Sequence, residues 1–158
     1  MSDDGYGIDR FVNAHSAHFC RALSEIKDGG KDTDWMWFVF PQIQGLGGSN
    51  DARRYAVQSI EMAEALLRDK EVRRNLDQIV QEVRVQLSVS GRTINSLLGN
   101  TDDRKLVSSL TLFAEVARRL DLSDLVQNST QILRRSRREG FRTCQATEDF
   151  IRADGLGR

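Results

Sequence analysis

Cysteine and histidine are scarce in this chain, and their scarcity excludes whole classes of protein. Only Cys20 and Cys144 occur among the 158 residues, which is too few for a disulfide framework. The histidines are His15 and His18 alone, so a metal ion would lack the further soft ligands that it needs. A Ser-His or Cys-His nucleophile pair is poorly supported for the same reason. We expect no metal and no cofactor.

An excess of charge of one sign and long hydrophobic runs are also lacking. The 23 basic residues balance 23 acidic residues, so no net charge directs the chain to nucleic acid or to a membrane. No stretch approaches the length of a membrane span. The opening MSDDGYG is acidic and has no apolar run behind it, so we expect no signal peptide. These features predict a cytosolic protein, and its length predicts one domain over residues 1–158.

Most of the chain shows the helical periodicity of apolar residues, which recur every three or four positions. The first such stripe stops before Gly29 and comprises Ile8, Phe11, Val12, His15, Phe19, Ala22, Leu23 and Ile26. Residues that commonly cap helix N-termini precede the later stripes, namely Asn50 or Asp51, Ser59, Asp69, Asp102 and Ser123. The periodicity predicts a mainly α, compact fold of about six or seven helices.

One segment, residues 34–55, departs from this pattern. Its sequence, DWMWFVFPQIQGLGGSNDARRY, holds both tryptophans and the only proline. WMWFVF is aromatic and β-branched, and Pro41 biases Phe40 away from the helical region. We expect residues 35–40 to be extended and, since both faces would be apolar, buried on both sides among the helices. The segment is then either the centre of the core or the wall of a site.

Polar residues after the aromatic run suggest a ligand pocket. Gln42 and Gln44 are amides of the kind that orient ligands in apolar pockets. The glycine-rich loop at residues 45–49 leads into a helix N-terminus, where its backbone N–H groups could hold an anion beside Arg53. The alternative is a tight turn that needs glycine backbone angles. The predicted ligand-binding residues are Trp35, Trp37, Gln42, Gln44, Gly45, Gly47, Gly48, Ser49 and Arg53.

The last third of the chain is rich in arginine. The arginines concerned are Arg134, Arg135, Arg137, Arg138 and Arg142. Arg134, Arg135 and Arg138 share one helical face. Such a basic face is typical of a solvated surface, and nucleic acid is not an expected partner because the protein is neutral overall. The same face is the candidate for a docking surface in an adaptor protein.

Four stretches of the sequence resemble one bacterial family. RFVNA, DWMWFVFPQIQGLGGSNDARRYAV, INSLLGNTDDRKLVSSLTLF and GFRTCQAT follow one another as in the family called domain of unknown function 1810. The resemblance implies a compact, mainly α-helical single domain. Some members carry the label calpastatin, but nothing here resembles an extended calpain-inhibitor chain.

The resemblance has two departures. The family typically has histidine directly before Trp-Met-Trp, where this chain has Asp34, and glutamine is common where this chain has His15. Asp34 either replaces a general acid or base, or marks a lost function, or stands where no catalytic residue ever was. The resemblance brings no established activity. If the protein is an enzyme, Asp34 and Asp102 are the candidate catalytic acids.

Two functions follow from the sequence. The first is binding of a small molecule, such as a nucleotide or phosphorylated metabolite, by stacking on aromatic rings and by contacts of its charged end with loop amides and arginine. The second is an interaction or adaptor domain that docks a partner on the basic helix, with the aromatic segment purely structural. The sequence leaves the oligomeric state open.

Overall fold

The computed structural model describes residues 6–156, with the backbone alone for the last two of them. This part of the chain forms helices and no strand, and Ile43 and Val57 make an isolated parallel bridge. The fold is therefore mainly α, as the periodicity predicts. The helices are α1 Asp9–Lys27, α2 Met36–Val39, α3 Asn50–Arg54, α4 Ile60–Arg68, α5 Lys70–Leu87, α6 Ile94–Leu98, α7 Asp102–Arg119, α8 Ser123–Arg138 and α9 Gln145–Leu156.

Local sequence signals explain where the long helices begin and end. Ser59 Oγ accepts a hydrogen bond from Met62 N at 3.0 Å and caps α4, and Asp69 Oδ1 accepts one from Val72 N at 3.0 Å and caps α5. These bonds satisfy N–H groups that have no partner inside the helix. Helix α1 is followed by Gly29, whose φ of +96° favours glycine.

Two of the predicted caps are displaced. Helix α3 is capped by Ser49, whose Oγ accepts from Ala52 N at 3.0 Å, and not by Asn50 or Asp51. Asp102 is the first residue of α7 instead of its cap, and Thr101 precedes it with φ at +67°. The side chain of Asp102 instead forms ion pairs with Lys31 and Lys105.

The prediction that residues 35–40 are extended is wrong, because Met36–Val39 form a helical turn. Within residues 35–40, the buried residues are Trp35, Met36, Val39 and Phe40. That spacing, with Trp37 and Phe38 only partly buried, is one face of a helix, whereas the predicted extended segment would be buried on both faces. Pro41 restricts only the residue before it, and Phe40 is indeed extended, with φ −113° and ψ 92°.

Helix α7 lies at the centre of the packing. It contacts α4, α6, α8 and α9, while α1 and α8 both pack on α5. Ser108 and Ser109 are buried on α7, as expected for small residues that let helices approach closely. The last helix, α9, packs against α7 and leaves a groove between itself and α8. None of the described helices combines the length and apolar character needed to span a membrane.

Candidate functional site

Trp35, the first predicted ligand-binding residue, lies in the core. It is 1% exposed, and its indole Nε1 donates a hydrogen bond to Glu25 Oε1 at 2.8 Å. Lys31 Nζ lies 5.2 Å from the ring centroid, a cation–π distance. Trp35 therefore already has both a polar partner and a cation within the fold.

Glu25 joins α1 to the loop that leads to Trp35. Its carboxylate accepts hydrogen bonds from Asp32 N at 2.7 Å, Thr33 N at 2.9 Å and Thr33 Oγ1 at 2.6 Å. Burial alone would raise the pKa of Glu25, but the bonds from Thr33, Asp32 and Trp35 outweigh it and lower the pKa to about 2. Asp34, the candidate acid that follows this loop, is exposed.

Gln42 is buried and serves as a link between two elements. Its Nε2 donates to Phe40 O at 3.0 Å and to Lys105 O at 2.8 Å. Because both partners are carbonyl oxygens, which only accept, the orientation of the amide is determined. Its Oε1 is buried and has no hydrogen-bond donor among the described residues. Gln42 thus ties the end of α2 to α7, with one acceptor left over.

Trp37 is half-buried beneath the glycine-rich loop. Lys105 Nζ lies 5.4 Å from its ring centroid. A Cβ added at Gly47 would lie 2.9 Å from Trp37 Cζ2 and 2.9 Å from Ala52 Cβ, so glycine is needed for the loop to pack this closely. At position 47 this close approach, and not a left-handed backbone angle, is the reason for glycine; the angle that the tight-turn alternative needs occurs at Gly45, with φ +91°. The other predicted residues here are all exposed, namely Gln44, Gly45, Gly48, Ser49 and Arg53.

Asp102, the second candidate acid, is held between two lysines. Its carboxylate lies 2.9 Å from Lys31 Nζ and 3.1 Å from Lys105 Nζ. The side chains of Lys31 and Asp102 are only 8% and 16% exposed, so the pair is shielded from solvent. The structure therefore brings Asp102 together with Trp35, Trp37 and Gln42 through these two lysines. Lys31 was not predicted as a site residue, because no local sequence signal indicates an ion pair with Asp102, 71 residues later in the chain.

His15 is a further buried polar residue, and its contacts are structural. Its Nδ1 lies 3.0 Å from Phe38 O, and its Nε2 lies 3.2 Å from Asn75 Nδ2. Because a carbonyl only accepts, Nδ1 carries the hydrogen and Nε2 accepts from the amide. Burial lowers the pKa of His15, against the opposing effect of the Phe38 carbonyl. No group of potential metal ligands occurs in residues 6–154, whose side chains are described.

Two grooves flank α8, and none of the predicted ligand-binding residues lines either one. The basic groove, between α7, α8 and α9, has a volume of about 570 Å³. The second groove, between α5 and α8, has a volume of about 450 Å³. Arg134 lines both grooves, Arg137 and Arg142 line the basic groove, and Arg138 lines the second.

The arginines of α8 differ in their contacts. Arg135 is bound inside the fold, donating to Leu87 O and Arg92 O and pairing with Glu139. It therefore does not belong to the solvated face that the sequence predicts. Within the described part of the chain, no ion pair is formed by Arg134, Arg137, Arg138 or Arg142.

The basic groove combines charge with an apolar floor. Its apolar lining residues are Val107, Ala114, Leu133, Phe141 and Ile151. Its charged lining residues are Arg118, Arg134, Arg137, Arg142, Arg152, Glu115 and Glu148. Five arginines against two glutamates give the groove an excess of positive charge on a protein with no net charge.

Comparison with known proteins places this architecture in a family. A family model described as protein of unknown function (DUF1810) matches residues 5–132. The chain belongs to the DUF1810 family. The structure also resembles the crystal structure of the conserved hypothetical protein Rv1873 from Mycobacterium tuberculosis at 1.38 Å, with a TM-score of 0.71 and 37% identity over 81% of this chain and 88% of that chain. No curated protein matches the chain.

The DUF1810 match covers the aromatic segment and most of the helical core, but it ends at residue 132. The predicted resemblance of the tail GFRTCQAT, residues 140–147, lies outside the matched range. So do several residues of the basic groove, among them Arg137, Arg142 and Glu148. One wall of this groove is therefore built by sequence beyond the family match.

Proposed function

We propose that this DUF1810 member binds an anionic ligand in the basic groove. The observation that carries the proposal is the set of groove arginines Arg134, Arg137 and Arg142, which form no ion pair within the described residues. Arg135 of the same helix, by comparison, donates to the Leu87 and Arg92 carbonyl oxygens and pairs with Glu139, unlike Arg134, Arg137 and Arg142. These three instead leave their donors available beside an apolar floor.

The size and chemistry of the groove suit such a ligand. Its volume of about 570 Å³ lies within the range of roughly 300–1,000 Å³ that is usual for ligand sites. The guanidinium group presents donors in a planar fork that matches carboxylate and phosphate oxygens. An apolar floor would bind the uncharged part of the same molecule. The proposal thus moves the anion site from the glycine-rich loop to the groove beside α8.

Isothermal titration calorimetry with tripolyphosphate in 150 mM NaCl tests the proposal. We expect binding that weakens about two- to five-fold in each of Arg137→Gln and Arg142→Gln, since exposed charge pairs contribute roughly 0.5–1 kcal/mol. Arg21→Gln is the matched control, because Arg21 is an exposed arginine on α1, away from the groove. Absence of binding, or an equal effect of Arg21→Gln, would refute the proposal.

A second candidate is a small polar molecule at the aromatic segment. The observation that favours it is the buried Gln42 Oε1, which has no donor among the described residues, since a buried acceptor without a partner costs stability. A ligand N–H group would supply the missing donor by opening the packing around Gln42, which is 1% exposed. Thermal melts of the wild type and of Gln42→Ala with a metabolite library test it. The expected result is a compound that raises the melting temperature of the wild type but not of the variant. Failure to find such a compound in the library would contradict this second candidate.

A further inference from the structure

We infer that one extended acidic peptide occupies both grooves and crosses α8 at Arg134. The inference rests on the proposed anion binding and specifies the partner. Arg134 lines both grooves, so the two adjoin at this side chain. Arg137 faces only the basic groove and Arg138 only the second groove. Guanidinium groups without an ion pair are thus available in the basic groove (Arg137), in the second groove (Arg138) and between the two (Arg134).

A ligand that occupies both grooves must be long, because α8 lies between them. A helix with its side chains is about 10–12 Å wide, so a ligand that reaches into the groove on each side must span roughly 20 Å. A compact anion such as a single phosphate cannot do so. An extended peptide rises about 3.3 Å per residue, so six or seven residues are sufficient.

The lining of both grooves favours a peptide that carries apolar as well as acidic side chains. The basic groove offers Leu133 and Phe141, and the second groove offers Leu87 and Ile132. Successive side chains of an extended chain point to opposite sides. A peptide that alternates acidic and apolar residues could therefore direct one set of side chains to the arginines and the other to the groove floors.

The same lining disfavours a nucleic acid. Glu115 is neutralised by Arg118 and Arg119, whereas Glu148 lines the basic groove with carboxylate oxygens that would repel a continuous row of phosphates. A peptide has donors for them, because backbone N–H groups recur along its length. The neutral charge of the whole protein also gives no long-range attraction to nucleic acid.

The test compares two labelled peptides by fluorescence anisotropy in 150 mM NaCl, using the full chain. The long probe is an acetylated octapeptide of alternating glutamate and leucine, and the short probe is a tetrapeptide of the same alternation. The variants are Arg137→Gln in the basic groove, Arg138→Gln in the second groove and Arg134→Gln on the crossing. Arg21→Gln is again the control, and thermal melts show that each variant is folded.

We expect Arg137→Gln and Arg138→Gln each to weaken the octapeptide about two- to five-fold, and Arg134→Gln to weaken it at least as much. The tetrapeptide spans only about 13 Å and cannot reach into the groove on each side of α8, so it should respond to only one of the two single-groove variants. An octapeptide that responds to only one of them overturns the inference. Tighter binding of a single-stranded oligonucleotide at this salt concentration overturns it as well.

The probes also separate this inference from the proposed function. If tripolyphosphate binds in the basic groove and the octapeptide does not bind, the peptide inference fails while the anion site stands. If neither probe binds, both fail. Octapeptide binding with the pattern expected for both grooves supports the inference directly.

Discussion

At the scale of single residues, Trp35 and Trp37 differ although they lie two positions apart. Trp35 is fully buried and donates to Glu25, whereas Trp37 is half-buried between the glycine-rich loop and Lys105. The sequence treats them alike, because each is a tryptophan in one aromatic run. Their different surroundings come from the helical turn of α2, which directs residues 35 and 39 to the core and residue 37 outward.

These surroundings predict unequal effects of substitution. Trp35→Ala should lower the free energy of unfolding by about 3–5 kcal/mol, because it leaves a large cavity and removes the donor to Glu25. Trp37→Ala should cost less, roughly 1–2 kcal/mol, since its ring is partly solvated already. Urea denaturation monitored by far-ultraviolet circular dichroism measures both values. Equal costs would show that the two rings contribute equally to the core.

At the scale of elements, the glycine-rich loop shows why α3 begins where it does. The loop lies against Trp37 and Ala52, and Ser49 at its end caps the helix. The sequence correctly indicates a helix start close to Asn50, but the cap belongs to the residue before it. Boundaries shift in this way because Ser, Asn and Asp are all good caps, and the path of the loop selects among them.

Two neighbouring glycines of this loop provide a matched pair of variants. Gly47→Ala should destabilise the protein by about 1–3 kcal/mol, because its Cβ would lie 2.9 Å from Trp37 Cζ2. Gly48→Ala should be nearly neutral, because no heavy atom lies within 4 Å of the added Cβ. Chemical denaturation of both variants measures the difference. A loss as large at position 48 as at position 47 would mean that the contact with Trp37 does not set the requirement for glycine.

At the scale of the whole molecule, His15 is a point where three helices meet. It lies on α1, hydrogen-bonds the Phe38 carbonyl of α2 and accepts from Asn75 of α5. Burial lowers its pKa, so the folded protein holds the neutral imidazole more strongly than the unfolded chain does. Stabilisation from His15 is therefore complete above its ordinary pKa of about 6.5 and decreases as the pH falls below that value.

This linkage predicts a pH dependence that His15→Gln removes. Glutamine can supply a donor and an acceptor but does not titrate. The free energy of unfolding of the wild type should fall between pH 7.5 and pH 5.5, while the variant should show a flatter dependence. Ser16→Ala, at the exposed position next to His15, is the control and should keep the slope of the wild type, since serine does not titrate in this range. The free energies of unfolding are measured by urea denaturation at each pH. The same slope against pH for His15→Gln and the wild type would contradict the prediction that protonation of buried His15 destabilises the fold.

The sequence by itself determined the mainly α class and most of the long helices. The caps Ser59 and Asp69, the stop at Gly29 and the apolar spacing in α1 act over a few residues, so they can be recognised without knowledge of the fold. The family match over residues 5–132 agrees with the resemblance of the aromatic run and of the NTDDRKL stretch. These signals are local because helix capping and periodicity are local.

The tertiary structure alone decided the conformation of residues 36–39 and the position of the candidate site. Aromatic residues satisfy either an extended or a helical pattern, and the backbone hydrogen bonds from Val39 N to Trp35 O and from Phe40 N to Met36 O show that the helical pattern holds. Likewise, the arginines of α8 read as one solvated face until α9 packs on α7 and forms the basic groove. The sequence does not encode these outcomes locally, because they depend on contacts between residues distant in the chain.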